Sequence, residues 1–96
     1  MARALQKGPS REITKEPDMQ CVFIQLQCEI GKTYEVAEAI VDREFHSEIY
    51  STSGNYDLLI KAYVPAGDDI GRFVDSNLSG IDGIVRSYTT LTFKAF

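Results

Sequence analysis

Ninety-six residues, 44% of them apolar and 25% charged, suffice for one small globular domain. The net charge of −4 repels phosphate backbones, which argues against a nucleic-acid-binding module, and no apolar run is long enough to cross a bilayer. Two cysteines and one histidine do not make a zinc site, and no metal or cofactor is expected.

Residues 1–18 (MARALQKGPSREITKEPD) mix four basic with three acidic side chains, include two prolines and lack apolar periodicity. They read as a flexible extension or tag, with Met19 a candidate natural start. No secretory signal is legible, so the cytoplasm is the expected compartment. Residues 19–96 form the folded domain and carry 6 basic and 11 acidic side chains, a net charge of −5.

Gln20–Cys28 (QCVFIQLQC) alternates as a strand does: Val22, Ile24, Leu26 and Cys28 share one face, and Cys21, Phe23, Gln25 and Gln27 the other. Cys21 and Cys28 therefore lie on opposite faces, too far apart for a disulfide. Thr33 is placed to cap a helix over residues 33–44, with Tyr34, Ala37, Ile40 and Val41 at helical spacing and Phe45 tucked under its end. His46–Thr52 is the second strand and Tyr56–Val64 the third, whose residues Tyr56, Leu58, Ile60, Ala62 and Val64 make an apolar face. Ser53-Gly54-Asn55 supplies the turn between them.

Pro65-Ala66-Gly67 ends that strand, and Asp68 or Asp69 starts a second helix whose stripe is Ile70, Phe73, Val74 and Leu78, capped by Gly80. Residues 84–96 (IVRSYTTLTFKAF) are the final strand. The order βαββαβ predicts an α+β, ferredoxin-like sandwich: a four-stranded antiparallel sheet with both helices on one face. The other face, with Phe23, Gln25, Gln27, Leu59, Lys61 and Tyr63, is too apolar to stay bare, so a second copy is expected to cover it.

Ser53-Gly54-Asn55-Tyr56-Asp57 entering an apolar strand, then Ser79-Gly80-Ile81-Asp82-Gly83 leading into Ile84-Val85, then Ser87-Tyr88-Thr89-Thr90, resembles the effector (RAM) domain of the Lrp/AsnC regulators from about Met19 to Phe96. The loop before the last strand lacks a proline that many relatives carry. Only 18 residues precede the module, so the chain looks like a stand-alone effector domain, without the helix-turn-helix of the family's regulators.

The resemblance implies a homodimer with sheets packed face to face in a barrel-like association, often joined into an octamer of four dimers. It implies an amino-acid ligand held between subunits, a full-length Lrp/AsnC regulator as partner, no direct DNA binding and no membrane. Carried over by motif, the ligand-binding candidates are Thr52, Ser53, Gly54, Asn55 and Asp57 from the turn, with Ser87 and Thr89 from the last strand. The residue types suit such a ligand: hydroxyls and backbone amides take a carboxylate, and Asp57 pairs with an ammonium. The simpler alternative has Gly54 and Asn55 merely turning the chain and Asp57 capping the turn's own amides.

The expected function is amino-acid or small-metabolite sensing coupled to oligomerisation, without catalysis. The alternative is a small dimeric ferredoxin-like enzyme of monooxygenase type. An acylphosphatase-like site is disfavoured because Glu29 in Glu29-Ile30-Gly31-Lys32 repels the anion such a loop must cradle. His46 has no converging partners for metal or acid–base work and reads as a surface or interface residue.

Overall fold

The structure, a computed structural model, describes residues 19–96. The extension expected over residues 1–18 lies outside the described residues. Six elements follow in the expected order: β1 (Met19–Cys28), α1 (Thr33–Arg43), β2 (His46–Ser51), β3 (Leu58–Pro65), α2 (Ile70–Leu78) and β4 (Ile84–Leu91). The strands form one antiparallel sheet in the order β2-β3-β1-β4.

The alternation of β1 decides where the core sits. Val22, Ile24 and Leu26 are fully buried and face Ala62, Ile60 and Leu58 across the β1–β3 ladder. Val36 and Ile40 of α1 and Val74 of α2 close over them from the same side. Phe45 meets Phe73 edge to face, with ring centroids 6.1 Å apart, and seals the gap between the two helices.

The stripe of α1 differs from expectation. Val36 and Ile40 are buried, whereas Tyr34 is 73% exposed and Val41 45% exposed. The chain before β4 approaches the start of this helix closely. Gly83, with φ +102°, brings the chain before β4 so near that a Cβ would lie 3.0 Å from Lys32 Cβ and 3.1 Å from Val36 Cγ2. Val36 beside that glycine and Ile40 one turn on are buried, and Tyr34 stays outside.

Two strand ends also differ. β3 begins at Leu58 rather than Tyr56, and Tyr56 is half-buried against Tyr88 instead of in the core. β4 ends at Leu91, five residues early, and Phe93 and Phe96 stand in solvent. Side chains supplement the backbone there: Thr92 N–H donates to Cys21 O at 3.3 Å, Thr92 Oγ1 donates to the same oxygen at 2.8 Å, and Gln20 Nε2 donates to Thr92 O at 2.8 Å.

Asp69 caps α2 by accepting from Arg72 N–H at 3.1 Å. Its neighbour Asp68 stays outside the helix. No side chain caps α1, whose N-cap is Lys32 rather than Thr33. Lys32 makes only long ion pairs, 3.8 Å to both Glu35 and Asp82, at exposed positions where such pairs contribute little.

Among the described residues nothing covers the face away from the helices. Register places Cys21, Phe23 and Gln25 opposite Tyr63, Lys61 and Leu59 on it. Glu48 and Tyr50 of β2 join them opposite Lys61 and Leu59. Lys61 Nζ lies 3.7 Å from Glu48 and 5.6 Å from the Tyr63 ring centre, and the Tyr50 hydroxyl donates to Glu48 Oε1 at 2.6 Å. Burial lowers the Lys61 pKa, but Tyr63 and Glu48 outweigh it and the net shift is upward. The Glu48 carboxylate, by its hydrogen bond and its charge, pushes the Tyr50 hydroxyl up as well.

Two measurements check this packing. Ile24→Ala, at a fully buried site in the middle of the sheet, lowers unfolding free energy by about 2–5 kcal/mol in a urea titration. Gly83→Ala costs at least about 1 kcal/mol more than Gly54→Ala. Both glycines have positive φ, but a Cβ at Gly54 meets nothing within 4 Å. Equal costs would contradict the assigned contact with α1.

Candidate functional site

The connection between β2 and β3 closes on itself before it touches anything else. Thr52 N–H donates to Asp57 O at 2.9 Å, and Thr52 Oγ1 donates to Tyr56 O at 3.0 Å. Gly54, with φ +99°, makes the reversal at its tip. Asp57 N–H then donates to Leu26 O at 2.8 Å and ties the loop to β1.

The Asp57 side chain does not cap its own turn. Its Oδ2 accepts from Cys28 N–H at 2.7 Å. The β1–β3 ladder ends at the Leu26–Leu58 pair, and the β1–β4 register shifts between Gln27 and Cys28. The Cys28 amide therefore has lost its strand partner on the β3 side, and the carboxylate replaces it with a charge-assisted bond. The Cys28 side chain is 8% exposed. Burial and the Asp57 charge push its thiol pKa up, against the hydrogen bond from Thr33, so it stays a protonated, unreactive thiol.

Beside this clamp an open cleft of about 490 Å³ runs between the start of α1 and the β2–β3 connection. Gly31, Thr33 and Tyr34 line one wall, and Ser51, Thr52, Ser53 and Asp57 the other. The lining holds five hydroxyl groups, one carboxylate and no basic side chain. The first-turn amides of α1, uncapped by any side chain, stand at the positive end of the helix dipole on the same wall.

Of the residues carried over from sequence, Thr52, Ser53 and Asp57 meet in this cleft. Gly54 and Asn55 are exposed at the tip and do not line it. Ser87 and Thr89 lie on β4 opposite Leu26 and Ile24, across β1 from the loop, and do not line it either. Gly31, Thr33, Tyr34 and Ser51 were not among the sequence candidates. The signal for the first three is the helix start at Gly31-Lys32-Thr33, which reads as a cap until the fold sets it against the loop. His46 is half-buried opposite Ala62, with Nδ1 enclosed and without a hydrogen-bond partner among the described residues. Among the described residues no cluster of three His, Cys, Asp or Glu side chains converges on a metal position, and no helix is long and apolar enough to cross a membrane.

Comparison with known proteins agrees with this architecture. The family model for the Lrp/AsnC ligand binding domain matches residues 21–96. The HTH-type transcriptional regulator FL11 of Pyrococcus abyssi is 31% identical over 72 residues, which is 75% of this chain and 47% of the relative. The chain thus spans about half the length of the curated relatives it matches, which are named transcriptional regulators. TTHA0845 from Thermus thermophilus superposes with a TM-score of 0.72 at 23% identity, covering 80% of this chain and 96% of that one. The regulator NMB0573 from Neisseria meningitidis, solved as an L-Met complex, superposes with a TM-score of 0.67 at 17% identity over 78% of this chain and 50% of its own. At these identities the solved structures establish the shared fold. With the family match spanning nearly the whole described region, the chain belongs to the Lrp/AsnC ligand binding domain family.

Proposed function

We propose that this domain senses a free amino acid, or a small metabolite bearing the same groups, in the cleft between α1 and the β2–β3 connection, and converts binding into a change of assembly. The observation that carries this reading is the pairing of complementary ends in one cleft. Asp57, oriented by the Cys28 amide at 2.7 Å, offers its carboxylate to an ammonium. The uncapped first turn of α1 and the hydroxyls of Thr33, Thr52 and Ser53 receive a carboxylate. A zwitterion is the simplest molecule that satisfies both ends. The L-Met bound to NMB0573 is such a molecule.

The cleft is open on one side, and a neighbouring subunit completes it. The uncovered sheet face supplies the first contact, between two copies. Further association, as in an octamer of four dimers, closes the cleft and brings Ser87 and Thr89 of a neighbouring subunit towards it. Gly54 and Asn55 act at the same seam from the loop tip. The module works with a DNA-binding regulator of the Lrp/AsnC type in the cytoplasm. It does not hold DNA itself, since residues 19–96 carry a net charge of −5. It carries out no reaction.

Isothermal titration of the full chain against the proteinogenic amino acids tests the reading. At least one gives saturable heat, and Asp57→Asn, which keeps an acceptor for the Cys28 amide but removes the charge, weakens that affinity about tenfold or more. No heat with any amino acid, or an unchanged affinity in D57N, contradicts it.

A further inference from the structure

Two adjacent residues serve opposite sides of the sheet. Asp57 lines the cleft on the helix side and holds the Cys28 amide. Tyr56, the residue before it, lies against Tyr88 with ring centroids 6.3 Å apart and planes inclined by 32°. Tyr88 is opposite Gln25, on the face the helices leave bare, and is 57% exposed. Thr52 pins both residues by its bonds to Tyr56 O and Asp57 O. The dipeptide is therefore held at both of its carbonyls, with the Asp57 arm ending at Cys28, where the β1–β4 register shifts, and the Tyr56 arm at Tyr88, opposite Gln25.

We propose that Tyr56–Asp57 is the link by which a second copy of this chain, seated on the bare sheet face, regulates the cleft, with Tyr56 as the positioning residue for the Asp57 carboxylate. This rests on the amino-acid reading above and adds its regulation. A second copy suits that face because its central charges are already paired within the chain, Glu48 with Lys61 at 3.7 Å, so stacking two copies brings no unmatched charge to the middle. Its cover removes the freedom of the exposed Tyr88 ring, fixes Tyr56 against it, and so holds the Asp57 carboxylate on the Cys28 amide. By reciprocity, any change at Asp57 alters the association of the two copies.

The test is a double-mutant cycle on the full chain, reading the dimer dissociation constant by sedimentation velocity over a dilution series. Asp57→Ala weakens the dimer about fivefold or more with Tyr56 present and equally with Tyr56→Phe, which keeps the ring. With Tyr56→Ala the same change has less than about a twofold effect. Equal weakening in the Y56A background, or none in the parent, overturns the link, as does a chain that is monomeric at every dilution. If Y56A gives no cooperative melt, Tyr88→Ser breaks the same contact from β4, and Asp57→Ser, whose short side chain cannot reach the Cys28 amide, replaces D57A if that variant fails to fold. Failure of the amino-acid titrations leaves this cycle readable, whereas an additive cycle beside intact amino-acid binding overturns the link alone.

Discussion

A sheet with both helices on one side has only half of its surface covered, and the rest of the structure depends on that asymmetry. Val22, Ile24 and Leu26 on β1 are sealed by α1, α2 and β3, which makes a small but continuous core. Cys21, Phe23 and Gln25 on the same strand face away from that core, opposite Tyr63, Lys61 and Leu59, with no further layer over them among the described residues. A domain this small gains little margin from one core, and burying a second sheet face against another copy is the most economical way to enlarge it. The mixture on that face, aromatic rings around an internally paired Glu48–Lys61, resembles an interface core more than a solvated surface.

The β2–β3 connection turns this asymmetry into a site. It stands where β1 leaves its pairing with β3, so one carboxylate both completes the strand and faces the cleft. Structural and binding roles usually compete for such a residue. The proposed site asks both of Asp57, which the Cys28 amide fixes through a single oxygen. The pairing of a clamped carboxylate with an uncapped helix start gives the cleft a polarity that suits a zwitterion and leaves little to attract a phosphate. The shortage of basic side chains in the lining points the same way.

Much of the architecture was legible in the residues. The alternation from Gln20 to Cys28, the apolar face from Leu58 to Val64 and the Asp69 cap each report local physics that the fold leaves intact. What was not legible came from contacts distant in sequence. The stripe of α1 centres on Val36, which packs close to Gly83 some 47 residues later, rather than on Tyr34 and Val41. Tyr56 left the core pattern for Tyr88, 32 residues later. Three of the seven residues lining the cleft were visible for the same reason: Thr52, Ser53 and Asp57 belong to one loop with a recognisable motif, whereas Gly31, Thr33 and Tyr34 become neighbours of that loop only when α1 packs over the sheet, and Ser51 reads as an ordinary strand residue. The alternative in which Asp57 caps its own turn gives way to a bond from the Cys28 amide, a partner nothing local in the sequence announces.

In this account the bare face is covered by another copy of the chain, and the cleft gains its function from the assembly so formed. Sedimentation equilibrium of the purified full chain tests that claim most directly. It predicts a mass of two or more chains at low micromolar concentration. A species with the mass of one chain, persisting as concentration is raised to the millimolar range, would contradict it.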